Sequence, residues 1–158
     1  MMDDQPFEWR RGEDAISTDR RRIDLDAVLA LLQDTHWGGT LTGEVLQRAV
    51  AHSICFGVYH RSTLIGFGRV VTDLATYGYL TDVVISREHR GRGLGSWLTE
   101  CMIGHPQLQG FRRLALLTRD AEALYSRAGF STGAAPLIYM ERRNTPSTQL
   151  PREGRIFG

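Results

Sequence analysis

Residues 81–103 read TDVVISREHRGRGLGSWLTECMI. The stretch opens on an apolar, β-branched run, Val83-Val84-Ile85, which reads as a strand. A short polar turn follows at 86–89. Arg90-Gly91-Arg92-Gly93-Leu94-Gly95-Ser96 then runs into Leu94, Trp97, Leu98, Cys101 and Met102, apolar at helical spacing. Strand, glycine-rich turn and helix together present free backbone N–H groups at a helix start. Those first-turn donors lack intrahelical partners and the helix dipole adds partial positive charge, so the place suits an anion. The glycines let a phosphate approach the backbone, and Arg90 and Arg92 add charge there.

The turn lacks the Gly-Lys-Ser/Thr ending of a nucleoside-triphosphate loop. The dinucleotide fingerprint asks for a third glycine where Ser96 stands. From these residues alone, a solvated glycine-rich turn competes with a phosphate loop of another kind.

The whole chain narrows the choice. Its 158 residues suit one domain with a sizeable core. A formal net charge of +1 gives no broad nucleic-acid surface, so no nucleic-acid partner is expected. No apolar run reaches membrane-spanning length, and the charged N-terminus lacks the apolar stretch of a signal peptide. Cys55 and Cys101 sit in apolar periodic surroundings and read as free buried thiols, consistent with a cytoplasmic location. The histidines and cysteines show no metal-ligand spacing, so no metal is expected.

Taken in order, residues 1–17 read as a flexible arm, with an edge strand beginning near Ile16. Asp24 caps a first helix carrying Leu25, Val28, Leu29 and Leu32 on one face. Thr42 caps a second, with Val45, Leu46, Ala49 and Val50. Between them lies Trp37, read equally as a pocket wall or a plug over the core. Residues 53–59 and 64–72 form a strand hairpin, and 77–85 is the strand feeding the glycine turn. A strand at 113–118 and a short helix capped by Asp120 follow, with Gly129 just past its end. Phe130 begins a strand whose hairpin partner is 137–140. The expected organisation is one mixed α/β domain over 18–143 and a polar tail over 144–158.

Two motifs carry a specific resemblance. Arg90, Gly93 and Gly95 after a strand resemble the acetyl-CoA pyrophosphate loop of the GNAT superfamily of N-acetyltransferases. Ala121-Glu122-Ala123-Leu124-Tyr125-Ser126-Arg127-Ala128-Gly129-Phe130 is similar to the family's helix after its fifth strand, with the Leu-Tyr-x-x-x-Gly-Phe ending. The resemblance spans roughly residues 25–142 and implies a mostly antiparallel mixed sheet, splayed between the family's fourth and fifth strands and flanked by helices. It also implies an enzyme using acetyl-CoA as co-substrate, without a metal, to acetylate a primary amine of a small molecule or peptide. A non-catalytic acyl-CoA-binding module is the alternative, and a homodimer is compatible with either.

By the same resemblance, Val83, Val84 and Ile85 pair with the pantetheine arm, and backbone N–H groups of Val84 and Ile85 face the developing oxyanion. Arg90, Gly91, Arg92, Gly93, Leu94, Gly95 and Ser96 hold the pyrophosphate. Thr118 stands where the family often has a cofactor-contacting asparagine. Tyr125 protonates the departing thiolate. The amine must also lose a proton, and for that Asp82, in the cofactor strand, is the carboxylate singled out as a base or ammonium anchor, with Asp73 and Glu44 as the alternatives. Trp37, Phe67, Asp73, Tyr77 and Tyr79 are the expected substrate-pocket residues.

Overall fold

The computed structural model describes residues 5–36, 38–133 and 136–144. It contains a six-stranded sheet in sequence order. The strands are β1 (Glu8–Arg11), β2 (Asp14–Ser17), β3 (Ile54–His60), β4 (Thr63–Thr72), β5 (Tyr77–Ile85) and β6 (Arg113–Leu116). All neighbours pair antiparallel except β5 and β6, which are parallel and joined through a helix. Among the described residues there are four α-helices: α1 (Leu25–Gln33), α2 (Gly43–Ala51), α3 (Leu94–Ile103) and α4 (Glu122–Arg127).

The caps read from sequence form as local chemistry dictates. Asp24 accepts from the Ala27 N–H and Thr42 from the Val45 N–H, each satisfying an orphan donor worth about 1 kcal/mol. At α4 the cap differs. Ala121, not Asp120, is the N-cap and no side chain caps the helix; Thr118 Oγ1 accepts from the Ala121 N–H just before it at 3.0 Å. Gly129 takes φ 94 past the helix end, as its position implied.

Because side chains alternate across a strand, the sheet divides the core in two. On one face Phe56, Val58, Ile65, Val70 and Leu80 pack against Trp97, Leu98, Cys101 and Met102 of α3. On the other, Cys55, Phe67 and Val84 pack against Val28 and Leu32 of α1 and Leu46 and Val50 of α2. A Cβ on Gly68 would stand 3.0 Å from Met102 Sδ, so that glycine lets α3 settle onto β4. Both cysteines are free and buried, and burial pushes their thiols up to about 11 for Cys55 and about 12 for Cys101. No helix among the described residues is long and apolar enough to cross a membrane.

Two expectations need correction. Residues 5–17 are not a loose arm: β1 and β2 form a hairpin, and Asp14, Ala15, Ile16 and Ser17 are all buried. Ile16 is fully buried opposite Val58, and Trp9 stacks on Phe56 at 6.2 Å, so these two apolar residues supply the burial that fixes the hairpin. The strand pair expected at Phe130 and 137–140 does not form among the described residues. Leu137, Ile138, Tyr139 and Met140 lie exposed, without the ladder partner a strand requires.

His105, 2 % exposed, follows α3 and meets the rings of Phe7 at 4.9 Å and Phe56 at 5.6 Å. Its Nδ1 accepts from the Gln107 N–H at 3.2 Å. Burial lowers its pKa from the ordinary 6.5, because the apolar shell disfavours the cation. The unfolded chain therefore takes up a proton here before the folded one does. This contribution is complete above about pH 6.5 and is lost as pH falls through the folded value, with a slope of at most about 1.4 kcal/mol per pH unit. Urea unfolding between pH 7.5 and 5 should show a shallower fall in stability for His105→Asn than for the wild type. Parallel curves would mean that His105 does not contribute.

Candidate functional site

The site arises where β5 outlasts its parallel partner. The β5–β6 ladder pairs Tyr77 with Arg113 and ends at Leu80 with Leu116, while β5 continues to Ile85. Within this overhang the β4 register skips between Phe67 and Arg69, which face Val84 and Thr81. Asp82 sits at the irregularity with φ 55, a left-handed conformation that aspartate tolerates better than a bulky or branched residue. A bulge of this kind turns the strand and frees it from regular pairing.

A cleft of about 670 Å³ opens along the overhang. Val83, Val84 and Ile85 form its floor, and Arg90, Gly91, Gly93, Leu94, Gly95 and Ser96 line one end. Leu124 and Tyr125 of α4 stand on the wall beside them. Gly91 and Gly93 have φ 75 and 77. Gly93 is the N-cap of the ten-residue α3 and supplies no side-chain bond, so the first-turn amides of α3 carry no side-chain cap. An added Cβ at Gly91 or Gly93 meets nothing within 4 Å, which leaves room for a ligand against the backbone. Arg90 donates from Nε to the Ile85 carbonyl at 2.9 Å, tying the turn to the strand end.

Tyr125 is half-buried, its ring edge-on to Phe130 at 6.0 Å between centroids. The Tyr125 carbonyl accepts from the Ala128 and Phe130 N–H groups, both at 3.0 Å, so the Gly-Phe ending folds back and fixes the ring. Burial pushes the phenol above its ordinary value, keeping it protonated at neutral pH and able to donate.

Other expected site residues lie elsewhere. Arg92 is not a lining residue: it donates from Nη2 to Asp14 Oδ2 at 2.7 Å. Thr118 is exposed and occupied with α4. Asp82 accepts from Arg69 Nε at 2.5 Å, and Arg69 also donates to Ser53 Oγ at 3.1 Å. That carboxylate is committed to an ion pair beneath the bulge. Phe67, expected in the pocket, is completely buried under α1 and α2, on the face opposite its neighbours Gly68 and Val70, which meet the α3 layer. Asp73 accepts from the backbone N–H groups of Ala75, Thr76 and Tyr77 and from the Thr76 hydroxyl, which hold it well below the usual carboxylate range. It shapes the β4–β5 turn. Tyr77 and Tyr79 lie on the paired half of β5, away from the overhang. Trp37 lies outside the described residues.

The structure adds residues that sequence reading missed. Asp34, Thr35 and His36, from the connection after α1, line the cleft with His89 and Asp120. Arg87 binds Asp34 across the rim at 2.8 Å. His89 Nδ1 and Ser86 Oγ share a hydrogen bond at 2.7 Å. Their polarity suited a solvated turn, and only the fold brings them together.

Comparison with known proteins fits this geometry. The model of the acetyltransferase (GNAT) family matches residues 17–130. A Gibberella zeae protein, FG08082, named as an acetyltransferase, is 35% identical over 147 residues, covering 78% of this chain and 81% of its own. A crystal structure from Xanthomonas campestris pv. campestris, of a protein belonging to the GNAT family, is 39% identical with a TM-score of 0.80, over 85% of this chain and 96% of that one. N-acetylglutamate synthase from Neisseria gonorrhoeae, complexed with coenzyme A and N-acetyl-glutamate, shares the fold at 19% identity and a TM-score of 0.66, over 79% of this chain and 30% of that one.

The left-handed turn at Gly93 has a measurable cost of substitution. Gly93→Ala should lower stability by about 1–2 kcal/mol, the strain of a Cβ at positive φ, although the side chain meets no neighbour. Gly39→Ala, also in open space but without positive φ, should stay within about 0.5 kcal/mol of the wild type. Equal urea midpoints for the two variants would contradict the assigned turn.

Proposed function

The chain belongs to the acetyltransferase (GNAT) family, and from that premise we propose that it moves an acetyl group from acetyl-CoA to a primary amine of a small molecule or peptide. The observation that carries this reading is the pairing, in one cleft, of a helix N-terminus without a side-chain cap and a half-buried, protonated phenol. The first is suited to a diphosphate and the second to a departing thiolate.

The residues present fit acetyl-CoA on three grounds. The glycine turn leaves its backbone open at Gly91 and Gly93. The amides at the start of α3 meet negative charge end-on. The overhang of β5 offers edge backbone to a pantetheine amide, as an added strand would. A neighbour in fold is complexed with coenzyme A, which supports the same choice of co-substrate.

When bound, acetyl-CoA supplies an activated thioester carbonyl. The amine would attack that carbon directly, the oxygen would take up negative charge, the C–S bond would break as the tetrahedral centre collapses, and the nitrogen's proton would pass to water, from which the Tyr125 phenol is reprotonated. The chain's own groups act at two points. Backbone N–H groups of Val84 or Ile85 stabilise the oxygen, since a fixed donor in a cleft costs no reorganisation. The Tyr125 hydroxyl gives its proton to sulfur as the thiolate leaves. Asp82 works through geometry: its pair with Arg69 holds the bulged residue beside which Val83 to Ile85 face the cleft. Arg90 steadies the turn through the Ile85 carbonyl.

Tyr125→Phe removes only the hydroxyl and keeps the ring on Phe130. Turnover should fall about a hundredfold, the scale of a lost general acid, while acetyl-CoA affinity by calorimetric titration stays within about twofold. Unchanged turnover would remove Tyr125 from this role, and a variant that no longer binds acetyl-CoA would make it a binding residue instead.

A further inference from the structure

Between Gly91 and Gly93 stands Arg92, and its guanidinium points away from the cleft. It ends on Asp14, a residue of β2 that is remote in sequence and 9% exposed. The carboxylate is used on both oxygens: Oδ2 accepts from Arg92 at 2.7 Å, and Oδ1 shares a hydrogen bond with His60 Nδ1 at 2.7 Å. His60 lies on β3 and its ring stands 5.8 Å from that of His89, which lines the cleft and bonds Ser86 before the turn. Glu13 completes the surroundings, 3.8 Å from His60 Nε2 and bound to Arg61 at 3.0 Å.

This arrangement answers a problem set by the turn itself. Glycine has more conformational freedom to lose than any other residue, and two left-handed glycines flank a single side chain here. An unanchored turn would sample many shapes, and a diphosphate would have to order it on binding. A guanidinium held by a buried carboxylate is short-ranged and directional, so it fixes the turn at its middle.

We infer that Asp14 is a positioning residue for cofactor binding: through Arg92 it holds the turn of residues 90–95 in the shape that aims the first amides of α3 into the cleft. The inference rests on the acetyl-CoA reading above. Arg92 is then a tether and not a phosphate ligand, and the N-terminal hairpin takes part in recognising a group it never touches.

The test compares two probes on the full chain. Acetyl-CoA carries the pyrophosphate, and S-acetyl-pantetheine lacks it. Asp14→Asn keeps the shape and removes the charge, and Arg92→Met breaks the tether from the more exposed side, where the side chain is 42% accessible. Each should weaken acetyl-CoA binding roughly tenfold, about the loss of one charge-assisted hydrogen bond. S-acetyl-pantetheine binding should not change, and the double variant should bind acetyl-CoA no more weakly than either single one. Wild-type affinity for acetyl-CoA in both single variants would overturn the inference. So would equal weakening of both probes, which marks a general structural loss, or additive losses in the double variant, which mark Arg92 as an independent ligand. If the wild type itself fails to bind acetyl-CoA, the functional reading falls, and this inference with it. If the wild type binds and the variants match it, only this inference falls.

Discussion

Everything at the site follows from one mismatch in length. β5 pairs with β6 only from Tyr77 to Leu80 and then runs on without it. A parallel ladder normally continues until both strands end, because each unpaired backbone group carries a cost. Here the bulge at Asp82 turns the overhang, and the half-buried Arg69–Asp82 pair secures the unusual residue from below. The strand edge left open is the floor of the cleft. α3 and α4 then stand beside it, and the missing side chain of Gly95 leaves room for Leu124, whose Cδ1 would lie 3.4 Å from a Cβ there.

The electrostatics are supplied by backbone more than by side chains. Of the two arginines in the turn, Arg90 is tied to a carbonyl and Arg92 to a carboxylate. What faces the cleft is the positive end of α3, fixed by the backbone and unable to swing away as a lysine side chain would. Tyr125 complements it by staying neutral, because burial holds its proton in place. A chain with a net charge of +1 thus directs the positive end of a helix at its cleft.

The parts legible in the sequence are those set by neighbours along the chain. The caps at Asp24 and Thr42, the hairpin of β3 and β4, the glycine turn and the end of α4 at Gly129 all depend on residues a few positions apart. The rest needed contacts that no local pattern carries. β1 and β2 are four residues each, and charged side chains hide the two apolar anchors, Trp9 and Ile16. Phe67 showed strand periodicity, but periodicity does not say which helical layer a face meets. Asp73 looked like a pocket acid and turned out to be bonded to its own turn. At 137–140 the β-forming residues were plain, but a strand is made by a partner, and none is supplied among the described residues.

The hairpin also bears on what counts as the minimal unit of this protein. Similarity to the family begins at residue 17, at the last position of β2. A polypeptide trimmed to that boundary would retain both helical layers and every residue that lines the cleft. It would lose Trp9, which stacks on Phe56, and Asp14, which Arg92 reaches from the turn. The modular boundary suggested by kinship and the one required by mechanics thus differ by a single hairpin. Fragments, fusions and permuted versions of the chain should be cut before β1.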